Sequence, residues 1–365
     1  MAERGLAALC LVSPENIYYL VGLNHQGYFA FSLLVLPLDG QPLLVTRAME
    51  RATIAAQAPG SAHLTFGDDE EPVVAAECAI RQVTGAGDRV GIERGSMSLP
   101  VGVWEPLRQG LDDVKWVDGS GIVEAIRAVK SPAEIELVRR AAAISDRAVR
   151  AGMSVAASGV TDREIAATVY AEMLLAGSEH PGFPPLIRTR DLLLHEHVTG
   201  PLGHVLSTQD SLMMELSASV GRYHAPLTRM LHVEPAPAGI DRAAELAIAG
   251  LEAVRAALRP DALVGEVYAA WQQVIDEGLG HSRYRRHHCG YLVGIGFPPS
   301  WVGGSAVVGL RGGDDLLIRP GMVFHVLSWI LGQLPPDYVV SDTVLVTPSG
   351  GELLTTTPRG AAVVR

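Results

Sequence analysis

The side chains in this sequence best able to move a proton are histidines. There are twelve, among them His195, His197, His224, His287, His288 and His325. A neutral imidazole titrates near neutral pH, so it can take a proton from water or return one to a leaving nitrogen. The competing reading is that these are solvated loop residues. Glu215 can orient a histidine or pair with a cationic nitrogen, against the plain alternative of a solvated strand residue. Arg188, Arg190 and Arg229 have the fork geometry that clamps a carboxylate through two parallel hydrogen bonds. Arg229 also reads as a structural ion pair beneath a strand pair. The run Arg283, Arg285, Arg286 reads as a solvated loop. Cys289 follows His288, but a buried inert thiol explains it better than a nucleophile. Gly294-Ile295-Gly296 does not precede a helix, as a dinucleotide loop would.

These groups need elements to hold them. In the first third, short apolar runs at 7–14, 28–38 and 41–47 read as strands punctuated by Pro, Gly and Asp, with further short strands at 89–95 and 114–120. Helical spacing falls at 49–58, 71–83 and 98–110. A boundary is expected between Val117 and Ser131. Ser131-Pro132-Ala133-Glu134 is a capping box with proline at the first helical position, and it opens a helix over 132–151. Thr161-Asp162-Arg163-Glu164 opens another to about Leu175, and helical patterns return at 241–258 and 264–278. Between them stand two strand pairs. One turns near Gly221 and the other lies within 321–347. The order of helix, helix, strand pair, given twice, predicts two similar halves facing each other.

The chain has 365 residues, is 48% hydrophobic and 19% charged, and carries a net charge of -11. That is ample material for two cores and argues against disorder. The acidic balance argues against nucleic acid, since phosphate binding needs a basic face. No apolar stretch reaches the length of a membrane-spanning helix, and the first apolar run reads as a core strand rather than a signal peptide. Three cysteines, at 10, 78 and 289, without a C-x-x-C pair, predict a reduced, cytoplasmic setting with no disulfide framework.

Several segments stand in an order that resembles the creatinase/prolidase/aminopeptidase P (pita-bread) family. They are residues 123–149, Gly221-Arg222-Tyr223 ahead of Leu227-Thr228-Arg229, Gly290 to Gly294, Pro320-Gly321-Met322-Val323-Phe324, and Asp342-Thr343-Val344-Leu345-Val346-Thr347. The resemblance covers essentially the whole chain and implies an α+β fold. A smaller α/β creatinase-type N-terminal domain (1–128) would precede a pita-bread catalytic domain (129–365). Peptidases of the family hold two metals with Asp, Asp, His, Glu and Glu. Carried across, those positions fall on Glu215, Pro226, Tyr291, Leu327 and Ser341. A two-metal site needs several oxygen donors and usually an imidazole, so the resemblance narrows to the metal-free branch of creatinase and ectoine hydrolase. Tyr223-His224-Ala225-Pro226, Gly290-Tyr291 and Gly294-Ile295-Gly296-Phe297-Pro298-Pro299 are similar to runs in ectoine hydrolase, as is His325 after the Gly-Met turn.

The implied function is metal-independent hydrolysis of a C–N bond in a small amidine or amide bearing a carboxylate. The implied base is His197, with His195 in reserve. A second histidine, His224 or His325, would hold the proton, and Glu215 would stabilise the cationic N–C–N unit. Alternation along a strand puts His224 on the Pro226 face and His325 on the Leu327 face. Tyr223, Tyr291, Arg188, Arg190, His195, His288 and Asp342 make up the expected substrate-binding set. No metal or other cofactor is expected. The expected partners are a small-molecule substrate and a second copy of the chain, with neither nucleic acid nor membrane. Two alternatives stay open: a metal-dependent Xaa-Pro dipeptidase or aminopeptidase, and a non-catalytic pita-bread binding protein.

Overall fold

The computed structural model describes residues 1–189, 192–194, 200–303 and 307–365. His195, His197 and Arg190 therefore lie outside the described residues. The chain divides into two compact units, one of Met1–Arg127 with Gly303 and one of Ala128–Val302 with Val307–Arg365.

The first unit is built on β1 (Ala8–Leu11), α1 (Pro14–Val21), β2 (Leu33–Pro37), β3 (Leu43–Arg47), α2 (Arg51–Gln57) and β4 (Ala62–Phe66). It continues through α3 (Pro72–Arg81), β5 (Arg89–Ile92), α4 (Val101–Gly110), β6 (Lys115–Asp118) and α5 (Ile122–Arg127). The strands form one sheet in the order β4-β3-β2-β1-β5-β6. Every residue of β1 is buried because both faces are covered. Ala8 and Cys10 pack with Ala76, Ile80 and Leu107, while Leu9 and Leu11 pack with Ile17, Leu23 and Ile54. Three elements go beyond those read from the sequence, β4, α1 and α5. Helix α1 starts at Pro14 behind Ser13 and stops at Gly22, whose φ of 76° is left-handed.

In the second unit both capping boxes form as read. Helix α6 (Pro132–Val155) is closed by Ser131 and Glu134, and α7 (Asp162–Leu175) by Thr161 and Glu164. There follow β7 (Leu186–Thr189), β8 (Ser211–Leu216), β9 (Ser219–Val220), β10 (Tyr223–His224), β11 (Leu227–Val233), α8 (Ile240–Ala257) and α9 (Val264–Leu279). The last strands are β12 (Gly290–Leu292), β13 (Val323–Ile330), β14 (Tyr338–Thr347), β15 (Gly350–Leu353) and β16 (Ala362–Val364). The main sheet runs β12-β13-β14-β11-β8-β7, with β15 beside β14 and β16 beside β11. The repeated order of two helices and a strand pair is present. The hairpin between β9 and β10 turns at Gly221 and Arg222, whose φ angles of 54° and 61° suit the right-handed strand twist.

Strand β13 decides what faces what. Its even residues turn to the helices: Ser328 accepts a hydrogen bond from Trp271 Nε1 of α9 at 3.1 Å. There α8 comes so close that a Cβ at Gly250 would sit 2.6 Å from Ser328 Oγ. The odd residues His325, Leu327 and Trp329 turn to the other side of the sheet, where the candidate site lies.

Candidate functional site

A cavity of about 340 Å³ opens within the second unit. Strand β8 contributes Glu215, β12 contributes Tyr291, and β13 contributes Leu327 and Trp329. Phe183 and Trp301 come from loops, and Arg286, His287 and His288 from the segment ahead of β12. The wall is rich in aromatic rings. Phe183 and Trp301 meet edge to face at 5.5 Å, and His288 meets Tyr291 likewise at 5.4 Å.

Behind this wall lies a line of polar side chains. Trp301 Nε1 donates to the Tyr291 hydroxyl at 3.0 Å. Tyr291 and His325 Nδ1 are 2.8 Å apart, His325 Nε2 and Ser341 Oγ 2.6 Å, and Ser341 donates to Thr228 Oγ1 at 2.7 Å. Sheet register brings them together: Tyr291 pairs with His325 across β12 and β13, and Ser341 with Thr228 across β14 and β11. His325 is fully buried, and desolvation, helped by the neighbouring His288, holds its pKa down at about 3. It is neutral at physiological pH, so its 4.0 Å approach to Glu215 is not an ion pair. Burial, reinforced by the Glu215 charge, pushes the Tyr291 hydroxyl well up, and Tyr291 stays protonated.

Of the expected site residues, Glu215, Tyr291 and His288 line the cavity. His325 stands in the second layer and lacks the basicity to carry a proton. His224 does not line the cavity: its Nε2 accepts from the Gly182 N–H at 2.8 Å, and burial lowers its pKa to about 4. The alternation that placed it beside Pro226 breaks there, because β10 ends at His224 and β11 starts at Leu227. Tyr223 also turns elsewhere, its hydroxyl donating to Glu134 Oε1 of α6 at 2.6 Å. Asp342 is fully buried on the opposite side of β14 from Ser341, between Arg229 Nη2 at 2.6 Å and Arg359 Nε at 2.5 Å. Its role is structural, and so is that of Arg229, in keeping with the ion-pair reading. Arg188 is buried on β7, with its guanidinium 3.3 Å from Met213 Sδ and 5.7 Å from the Trp329 ring.

Sequence reasoning missed the aromatic lining. It also misread Arg286, which is no solvated loop residue: it lines the cavity and stacks 5.3 Å over Trp329. A signal for Trp329 was present, since it lies two residues beyond Leu327 on the same face of a strand. Cys289 is buried, and desolvation raises its thiol far above neutrality, so it is no nucleophile.

The five former ligand positions do not fit a metal pair. Pro226 offers only its carbonyl, which already accepts from Thr343 Oγ1 at 2.8 Å, and Leu327 offers no donor. Tyr291 and Ser341 are engaged in the polar line. Glu215 is the one carboxylate left. Among the described residues, no group of three or more His, Cys, Asp or Glu is placed to hold a metal ion.

Comparison with known proteins agrees with the architecture. The creatinase/prolidase N-terminal domain matches residues 1–129, and metallopeptidase family M24 matches residues 136–348. An ectoine hydrolase from Halomonas elongata is 25% identical over 98% of this chain and 93% of its own. An Xaa-Pro dipeptidase from Pyrococcus horikoshii is 26% identical over 74% of each chain. A prolidase structure from Thermococcus sibiricus superposes with a TM-score of 0.87 at 20% identity, covering 100% of this chain and 96% of that one. The chain is thus a hydrolase of pita-bread fold, and it belongs to metallopeptidase family M24.

Proposed function

We propose that the chain hydrolyses a C–N bond in a small amidine- or amide-type substrate bearing a carboxylate, and that it does so without a metal. The observation that carries this reading is the donor set. Of five former ligand positions two have no side-chain donor, and two more are hydrogen-bonded into a line that runs Trp301, Tyr291, His325, Ser341, Thr228. Glu215 pairs with the positive N–C–N unit as water attacks the sp² carbon. Arg286 supplies a cation in the same lining for the substrate carboxylate. The base follows the family resemblance, His197, with His195 in reserve. Neither His224 nor His325 holds the proton, because burial keeps both far below neutral pH. The similarity to ectoine hydrolase supports this substrate class.

The test is metal content and chelation. Protein purified without chelator is expected to hold well under one equivalent of Mn, Co or Zn, and a chelator should leave turnover intact. Stoichiometric metal with chelator-sensitive turnover would sink the reading. It would favour instead a metal-dependent Xaa-Pro dipeptidase, the second reading, which the similarity to the Pyrococcus dipeptidase supports. We further propose that the chain acts in the cytoplasm as a homodimer. Phe29, 76% exposed at the end of the Gln26–Phe29 turn, is an apolar group suited to a covered surface. A monomer by light scattering at micromolar concentration would count against the dimer.

A further inference from the structure

The polar line behind the cavity has a direction, and its Thr228 end fixes it. An indole N–H can only donate, so the Tyr291 oxygen accepts from Trp301. At the far end the single Ser341 proton goes to Thr228 Oγ1. Ser341 must then accept from His325, so the proton of that ring is on Nε2. Nδ1 is left as an acceptor, and the Tyr291 O–H donates to it. The Thr228 end sets this tautomer, and the Trp301 end is compatible with it. One Tyr291 lone pair takes Trp301, its proton points into the wall, and the other lone pair is what remains for the cavity. Glu215 beside it is also an acceptor when ionised.

We propose that Thr228, a fully buried residue outside the cavity lining, sets the hydrogen-bond polarity of the cavity's polar wall and thereby its preference for a cationic N–H donor, such as an amidinium, over a carboxylate. Thr228 accepts the Ser341 proton, and each partner in turn is held in one orientation. Without that acceptor, Ser341 would donate to His325 Nε2. The ring proton would move to Nδ1 and point at the Tyr291 oxygen, and the Tyr291 O–H would be released toward the cavity. The wall would then offer a donor where it had offered a lone pair. Thr228 is a positioning residue, and the proposal rests on the reading that this cavity is the substrate site.

Thr228→Val removes the hydroxyl at nearly constant shape, and Thr228→Ser keeps it. Two readouts are taken on the wild type and both variants. One is the His325 tautomer, from ¹⁵N chemical shifts of labelled histidine. The other is the affinity for acetamidinium and for acetate, by calorimetry. The wild type is expected to carry Nε2–H and to prefer acetamidinium. Thr228→Val should move the proton to Nδ1 and cut that preference by about tenfold or more, the worth of one hydrogen bond to a charged group. Thr228→Ser should match the wild type on both counts. An Nδ1–H wild type overturns the proposal even if the valine variant does not fold. So does an unchanged tautomer in Thr228→Val, a tautomer change with unchanged preference, or a wild type that does not bind acetamidinium. These failures are distinct from that of the hydrolase reading, which fails on stoichiometric metal and chelator sensitivity.

Discussion

Glu215 holds the one carboxylate that survives at the former ligand positions, and it is 5% exposed on a cavity wall rich in aromatic rings and aliphatic side chains. In so apolar a setting an ionised carboxylate interacts more strongly with a cation than it would in water. Glu215→Gln keeps the shape and removes the charge. Acetamidinium affinity measured by calorimetry should fall about tenfold or more, with acetate affinity unchanged or improved, since charge-assisted hydrogen bonds are roughly twice as strong as neutral ones. Equal loss for both ions would assign Glu215 to structure rather than recognition. Glu215, Tyr291 and His288 were legible in the sequence because their types and family positions both spoke for them. Phe183 and Trp301 were not, because they sit on loops where no periodicity states a direction. His224 was misplaced because a regular alternation was carried across a break between two short strands.

At the scale of elements, the legible features were local ones. Both capping boxes lie within four consecutive residues, and the two-strand, two-helix repeat follows from apolar spacing and turn chemistry. Long-range pairing was not legible: β16 lies parallel to β11, more than a hundred residues away in sequence. The partners in a buried ion pair share that difficulty, although Arg229 itself was read as structural. Asp342 on β14 holds Arg229 on β11 and Arg359 beyond β15, and Thr355 Oγ1 adds a hydrogen bond at 2.6 Å. Breaking one partner of such a network leaves buried charge without its counter-ion. Asp342→Asn should therefore lower unfolding stability by about 3 kcal/mol or more, read from denaturant midpoints at constant slope. A catalytic Asp342 would instead lose turnover with stability intact.

For the molecule as a whole, two effects oppose each other on acidification. The net charge is -11 at pH 7. Titrating carboxylates toward the isoelectric point of about 5.5 relieves self-repulsion and should stabilise the fold. Three buried histidines act the other way. His224, His232 and His325 have pKa values lowered to about 4, 4 and 3, chiefly by desolvation. In the unfolded chain they titrate near the ordinary value of about 6.5. Between those limits the unfolded state binds more protons, so stability is full above pH 6.5 and is lost as pH falls toward 4. Each histidine contributes a slope approaching about 1.4 kcal/mol per pH unit near the middle of that window. Diffuse surface repulsion is screened by salt over about 10 Å, whereas this linkage is not. The melting temperature should thus fall from pH 6.5 downward, through the isoelectric point, at 0.15 M salt. His232 isolates the cause, since it lies outside the cavity lining and, among the described residues, its ring bonds only Ser211 Oγ, at 2.7 Å, through Nδ1. His232→Asn removes one proton-binding site from the unfolded state, so its melting temperature should fall less steeply with acid than that of the wild type. Parallel curves for the two proteins would exclude His232 from the linkage, and a wild type most stable near pH 5.5 would mean that charge repulsion outweighs burial.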